Sequence, residues 1–211
     1  MKKLIVLFYL FVPFLLFAKF YNGEIIYNNG SSKSIQIALP ISATKQSITV
    51  KINDKKESIK IAEIKYLIVS LNDNQNKYLF KRGNVSRVNK AGEIITKEKT
   101  HLLSLVDEAY EDIIVSCDAL QYIVKKIKGK ETLIAVYHGG IGGYVLSAPD
   151  DDRLLFFMNH PKALRVSISR SEAYLFSKCP GFSESINYKE LNRRGSFVHE
   201  IAEKYNHCIK N

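Results

Sequence analysis

An α+β fold, a mostly antiparallel β-meander followed by C-terminal helices, is what this 211-residue sequence predicts. Three observations predict it. Apolar and polar residues alternate through the first half, which puts one face of each strand on a core and the other in water. Short polar turns join these stretches, too short for the crossovers that parallel strands require. In the last quarter the apolar spacing becomes that of a helix, and strands first with helices last is the α+β order.

The elements follow from the N-terminus. Residues 1–18 read as a signal peptide: Lys2 and Lys3 make a positive start, 4–17 is unbroken apolar sequence, and small Ala18 precedes a polar shift at Lys19. The run falls short of the roughly 20 residues that span a bilayer, and Pro13 interrupts it. The mature chain is therefore expected to begin near Lys19 and to be periplasmic or secreted, exported through the Sec route, with no integral membrane segment. A β-rich region is expected over 19–168 and a helical C-terminal region, packed on it, over 169–211.

Asn28-Asn29-Gly30 separates Ile25–Tyr27 from the alternating Ile35, Ile37 and Leu39, a strong hairpin cue. Asn53-Asp54 lies between the strand of Ile48, Val50 and Ile52 and that of Ile59 and Ile61, and Asn72-Asp73-Asn74 makes a third turn. Thr100 to Tyr110 admits two readings. It is either a helix with Leu102, Leu105, Val106 and Ala109 on one face, or a strand pairing with Ile113–Cys117. Further strands are expected at Leu120–Ile127, Thr132–Tyr137, Gly143–Leu146 and Leu154–Met158, punctuated by Gly129 and by Ala148-Pro149-Asp150. Ser169 and Glu172 have capping-box spacing ahead of Ala173–Phe176, with Pro180-Gly181 as the stop. Ser196 is placed to cap a final helix carrying Val198, Ile201, Tyr205 and Cys208.

The formal charge is +10, of which Lys2 and Lys3 contribute two. A basic surface attracts nucleic acid, anionic lipid or acidic polysaccharide. Here the lysines are scattered along strands and turns, with no Arg/aromatic platform for single strands, so nucleic acid is not an expected partner of an exported chain. An envelope protein or a polysaccharide is. Cys117, Cys179 and Cys208 are the cysteines. Export permits disulfides, and the odd count leaves one thiol over. None follows the apolar run directly, so a lipid-anchor signature is missing.

Cys179 lies at the end of one expected helix and Cys208 near the end of the next. A Cys179–Cys208 disulfide would close a loop of about 30 residues, contributing about 3–4 kcal/mol by chain entropy. Free thiols, or a metal site of Cys179, His207 and Cys208, are the alternatives. Against the metal, adjacent helical residues point about 100° apart. No metal or cofactor is expected.

His138-Gly139-Gly140-Ile141-Gly142-Gly143 has the look of an oxyanion turn, but no Gly-x-Ser-x-Gly nucleophile elbow accompanies it. Its glycines fit a hairpin loop. Asp150-Asp151-Asp152 lacks the calcium-loop pattern and reads as a solvated turn.

Gly23-Glu24-Ile25-Ile26 with Asn29-Gly30, Ala62-Glu63-Ile64, Lys178-Cys179-Pro180 and Tyr205-Asn206-His207-Cys208 together resemble a broad group of exported proteins of Bacteroidota-type bacteria. The resemblance implies an opening β-meander, a Cys-Pro helix end and a closing helix with a Tyr-Asn-x-Cys-like tail. It implies location and architecture, and carries no activity.

Two functions are compatible with this reading, and a third possibility is binding of an anionic ligand, an acidic glycan or lipid, by the basic surface. The first is a non-catalytic interaction or envelope-associated protein, using strand edges or the loop around Gly140. The alternative is an extracytoplasmic hydrolase of envelope or extracellular polymers, with His138, Asp150 or Asp152, and His160 as its residues. No catalytic residue is assigned by motif.

Overall fold

The structure, a computed structural model, describes residues 19–71, 75–137, 143–158, 160–191 and 196–210. The signal peptide expected over 1–18, the turn expected at 72–74 and His138 with 139–142 lie outside the described residues.

The N-terminal strands form where the alternation places them. They are β1 (Lys19–Tyr27), β2 (Ser32–Leu39), the short β3 (Ile41–Ser42), β4 (Ser47–Ile52), β5 (Lys55–Lys60) and β6 (Ile64–Leu71). Gly30 takes a φ of 83° at the β1–β2 turn, where Ile26 pairs with Ser32. Asn53 and Asp54 take φ values of 48° and 63° between Ile52 and its partner Lys55, both in the left-handed region of a two-residue hairpin turn.

The strands continue with β7 (Asn76–Val88), β8 (Ile94–Ala109), β9 (Ile114–Asp118), β10 (Gln121–Ile127), β11 (Lys130–Val136), β12 (Gly143–Ser147) and β13 (Arg153–Met158). Residues 94–109 are thus strand. The strand reading of Thr100–Tyr110 holds because its residues find partners on β7 and on β9, including Leu105 with Phe80 and Val106 with Ser116.

The expected meander is corrected in its connectivity. One ten-stranded sheet runs β13-β12-β9-β8-β7-β6-β1-β2-β4-β5, and β13 also pairs in parallel with β7. Strands β7, β8, β9, β12 and β13 thereby close into a ring. The cause is the length of β7. Asn76–Lys81 fill one edge with β6, and the same edge runs on past β6 to Asn84–Ser86, where Arg153–Leu155 take it. Gly83 lies at this junction, and a Cβ there would sit 2.5 Å from both the Asp152 carbonyl oxygen and Leu154 Cγ. A smaller sheet, β11-β10-β3, completes the β structure.

Two apolar clusters hold the molecule. One joins the N-terminal strands to the small sheet, with Ile25, Ile37, Leu67, Phe80, Leu103 and Tyr122 buried in it. The other packs β9, β12 and β13 against α1 (Pro161–Leu175), α2 (Phe182–Ser185) and α3 (Phe197–Cys208). The β-rich region with C-terminal helices therefore stands, and the helices begin at Pro161, not at Ser169. Proline is preorganised for a first helical position, and Leu164, Ile168, Ser171 and Leu175 then fall on the buried face. Ser196 does precede α3, but its side chain makes no cap hydrogen bond.

Cys179 and Cys208 are joined as a disulfide, with their Cα atoms 6.2 Å apart. Beside them Phe176 stacks on Phe182 and both meet Tyr205 edge to face, at 5.0–5.3 Å between ring centres. Among the described residues no helix is long and apolar enough to cross a membrane, and no group of three or more His, Cys, Asp or Glu side chains is arranged to hold a metal ion.

Candidate functional site

Two polar clusters interrupt these apolar cores. The first forms where the turn between β12 and β13 meets β7. Lys81 and Arg82 are adjacent on a strand, so their side chains leave on opposite faces, yet both are almost fully buried. Lys81 Nζ donates to the carbonyls of Ala148 (2.7 Å) and Pro149 (2.8 Å). Burial pulls its pKa down to about 8, against the nearby Asp151, Asp152 and Asp150 carboxylates. Arg82 donates to the Ile64 carbonyl (2.9 Å), to Asp152 (2.8 Å) and to Asn28 Oδ1 (2.8 Å).

The acidic triplet is divided among partners. Asp150 is 94% exposed and reaches Lys65 at 3.4 Å. Asp151 takes the Arg153 guanidinium at 2.7 Å and the Tyr174 hydroxyl of α1. Although burial opposes it, Asp151's net pKa is held low by Arg153. The triplet is a turn, as expected, but it is clamped as well as solvated, with Asp152 on the buried Arg82.

The second cluster brings together residues that nothing in the sequence connects. Cys117 on β9 is paired in register with Tyr144 on β12. The Tyr137 hydroxyl bonds the Cys117 sulfur, and burial raises the thiol's pKa. On the same residue, the Tyr122 hydroxyl donates to the Cys117 carbonyl at 3.1 Å and accepts the Leu105 N–H at 3.0 Å. Tyr144 meets His199 of α3 edge to face, at 4.9 Å between centres. His199 Nε2 in turn lies 2.7 Å from Asp107 Oδ2 on β8, and this bond lowers the Asp107 pKa. Burial raises the Tyr137 and Tyr144 hydroxyls.

Tyr137 ends one flank of the glycine-rich segment and Gly143-Tyr144 begins the other. Both flanks therefore converge on Cys117, and one continues to His199 and Asp107. Gly143 is closely approached: a Cβ there would lie 2.7 Å from the Phe156 ring and 3.2 Å from Asp118 Oδ2, so those side chains would have to shift. Phe156 is 43% exposed, a large apolar side chain at the surface beside this flank.

No family model, no characterised protein and no solved structure matches this chain.

Of the residues named for a hydrolase, the described ones on either side of β13 are not brought together. Asp152 and His160 bracket β13, and a strand of that length separates its ends by roughly 20 Å. Asp152 is bonded to Arg82, while His160 is the exposed residue before α1. His138 lies outside the described residues. The cluster at Cys117 was invisible in the sequence, where its members are up to 92 positions apart; the only available signal was the aromatic residue on each side of the glycine run. As for strand edges, β5 ends the large sheet and presents exposed Lys55, Lys56 and Lys60. Lysine on an edge strand opposes pairing with another chain.

Proposed function

We propose that this chain is an exported, non-catalytic interaction protein whose contact surface is built around the glycine-rich segment 138–142. The single observation carrying this reading is that both flanks of that segment are anchored in a buried cluster of neutral groups. The Cys117 thiol is 6% exposed and its pKa lies above the ordinary value. A reactive cysteine needs the opposite, a lowered pKa in an accessible electropositive setting. His199 is engaged by Asp107 and packed on Tyr144. Such a cluster fixes the flanks on either side of the segment, and a rigid scaffold carrying a binding segment is the usual division of roles. The lysines of β5 discourage contact through that edge, and the exposed Phe156 lies beside the anchored flank.

Export enters through residues 1–18 and is supported by the Cys179–Cys208 pair, since disulfides persist in oxidising compartments. The partner is an envelope protein or polysaccharide. A photo-crosslinker placed at Ile141 in cells, with a second at Lys55 as control, tests the reading. The expected result is a discrete adduct from position 141 that position 55 does not give. Equal, diffuse labelling from both, or retention of the full-length chain in the cytoplasm, would overturn it.

A further inference from the structure

Away from both polar clusters, a cleft of about 700 Å³ opens between α1 and the segment that follows α2. That volume lies within the range of small-molecule and saccharide sites. One wall is a single face of α1, with Arg165 and Ser169 four residues apart and Glu172 a further turn along. The other wall carries Ser183, Asn187, Tyr188 and Lys189. The two walls are tied together at one end, where the Ser183 hydroxyl donates to Glu172. Tyr188 steadies its own wall by donating to the Ser183 carbonyl at 3.3 Å. Burial pushes its hydroxyl up to about 12, so the phenol stays neutral; with its proton given to Ser183, its oxygen is left to accept from a ligand hydroxyl.

The disulfide fixes the start of the same wall. Cys179 precedes it directly and is bonded to Cys208 of α3, and the buried Phe182 and Ile186 pin the segment to the helical core. The cleft is thus shaped before any ligand arrives, which lowers the ordering cost of binding.

Its chemistry is specific in kind. Two cations, Arg165 and Lys189, line the cleft, and among the described residues neither is taken up by an ion pair. Both side chains are exposed. Hydroxyl and amide groups supply the remaining polar lining, Tyr188 supplies one ring, and Ile186 is the sole aliphatic residue among those that line it. Glu184, on the rim, is an acceptor suited to a hydroxyl and unsuited to a second negative charge. A lining with cations for one anionic group, many hydrogen-bonding groups and little apolar surface matches a ligand that is itself a carboxylate among hydroxyls.

We propose that this cleft binds an acidic saccharide, a uronic-acid unit of an oligosaccharide, with Arg165 and Lys189 on the carboxylate and Ser169, Asn187 and Tyr188 on the ring hydroxyls. This rests on the reading of the chain as an exported binding protein and assigns it a second contact, distinct from the glycine-rich segment.

The test is titration of the mature, disulfide-intact protein with trigalacturonate by calorimetry and amide NMR. The uncharged methyl ester of the same trimer and a triglutamate peptide serve as comparisons. Saturable binding of trigalacturonate is expected, with shifts confined to 165–189 and affinity falling as salt is raised. The ester is expected to bind at least tenfold more weakly, as is the Arg165→Gln/Lys189→Gln variant, in line with loss of a charge-assisted contact. Both substituted positions are exposed, so folding is checked by an unchanged melting temperature. Absence of trigalacturonate binding, equal binding of the ester, equal binding by the variant, or preferential binding of triglutamate would each overturn the proposal. A specific adduct from Ile141 in the same protein would show the interaction reading standing while this cleft assignment falls.

Discussion

The two polar clusters solve opposite problems. At the β12–β13 turn, full charges are kept: Arg82 is buried and Asp152 half exposed, while Lys81 spends two of its protons on backbone carbonyls. At Cys117 burial favours the neutral thiol, and the Asp107 carboxylate, bonded to His199, lies toward the surface. The difference teaches how this fold divides labour. The charged cluster fastens the parallel closure of β13 on β7, which backbone pairing over Arg153–Leu155 alone leaves short. The neutral cluster anchors the two ends of a segment without creating a reactive group.

The largest expected effect falls on the neutral cluster's support. Helix α3 carries both Cys208 and His199, so breaking the disulfide frees the helix that holds Tyr144. The Cys179→Ser/Cys208→Ser variant is expected to lose about 3.5 kcal/mol of stability in urea unfolding. Amide exchange should quicken first at residues 196–210 and at 144, while Lys81 and Arg82 keep their protection. Uniform loosening across both clusters would erase the distinction drawn between them.

Next comes the charged cluster itself. Arg82→Met removes the donor to Ile64, Asp152 and Asn28 and is expected to cost about 2–3 kcal/mol, given that Asp152 can turn to solvent. The loss should be accompanied by faster exchange along Arg153–Leu155. A cost below about 0.5 kcal/mol, the usual range for surface substitutions, would show that the clamp does not hold the closure.

Lys81 gives a smaller effect with a definite sign in pH. Its folded pKa, about 8, lies below the ordinary 10.5, so between these values the unfolded chain binds more protons than the native one. Stability should therefore rise with pH in that window, by about 2 kcal/mol at pH 10 relative to a Lys81→Met variant that lacks the titration. A difference that stays flat from pH 7 to 10 would contradict the buried-amine account.

The smallest effect belongs to the His199–Asp107 pair. The Asp107 pKa is lowered in the fold, so its contribution is present above the unfolded carboxylate value near pH 4 and is lost as pH falls through the folded value. Asp107 is 47% exposed, so Asp107→Asn should cost less than about 1 kcal/mol at pH 7, and less still near pH 3. The measurement is a paired set of urea midpoints at the two pH values.

Much of the fold was legible where the chemistry is local. Gly30, Asn53-Asp54 and Gly129 announced turns that the structure forms at those residues, because left-handed backbone has few tenants. The Cys179–Cys208 pairing was legible from the two helix ends and the compartment. The start of α1 was not, because Ser169 and Glu172 imitate a capping box while Pro161 is the true first residue. The parallel closure was not either, because it depends on how far β7 outruns β6 and on no local signal. The acidic triplet read correctly as a turn, but Arg82, the buried partner of Asp152, lies seventy positions earlier. Of the second cluster only Cys117 stood out in the sequence, as one of three cysteines, and only tertiary packing joins it to Tyr144 and His199.

The central claim is that the anchor beneath the glycine-rich segment is buried and chemically quiet. Thiol labelling tests it most directly. With the Cys179–Cys208 disulfide intact, Cys117 is the one free cysteine. In the native protein at pH 8, N-ethylmaleimide should leave Cys117 unmodified over hours, and full modification should appear within minutes once urea unfolds the chain. Rapid, stoichiometric labelling of the native protein, with a rate that titrates below pH 7, would mean an exposed thiolate and would contradict the account.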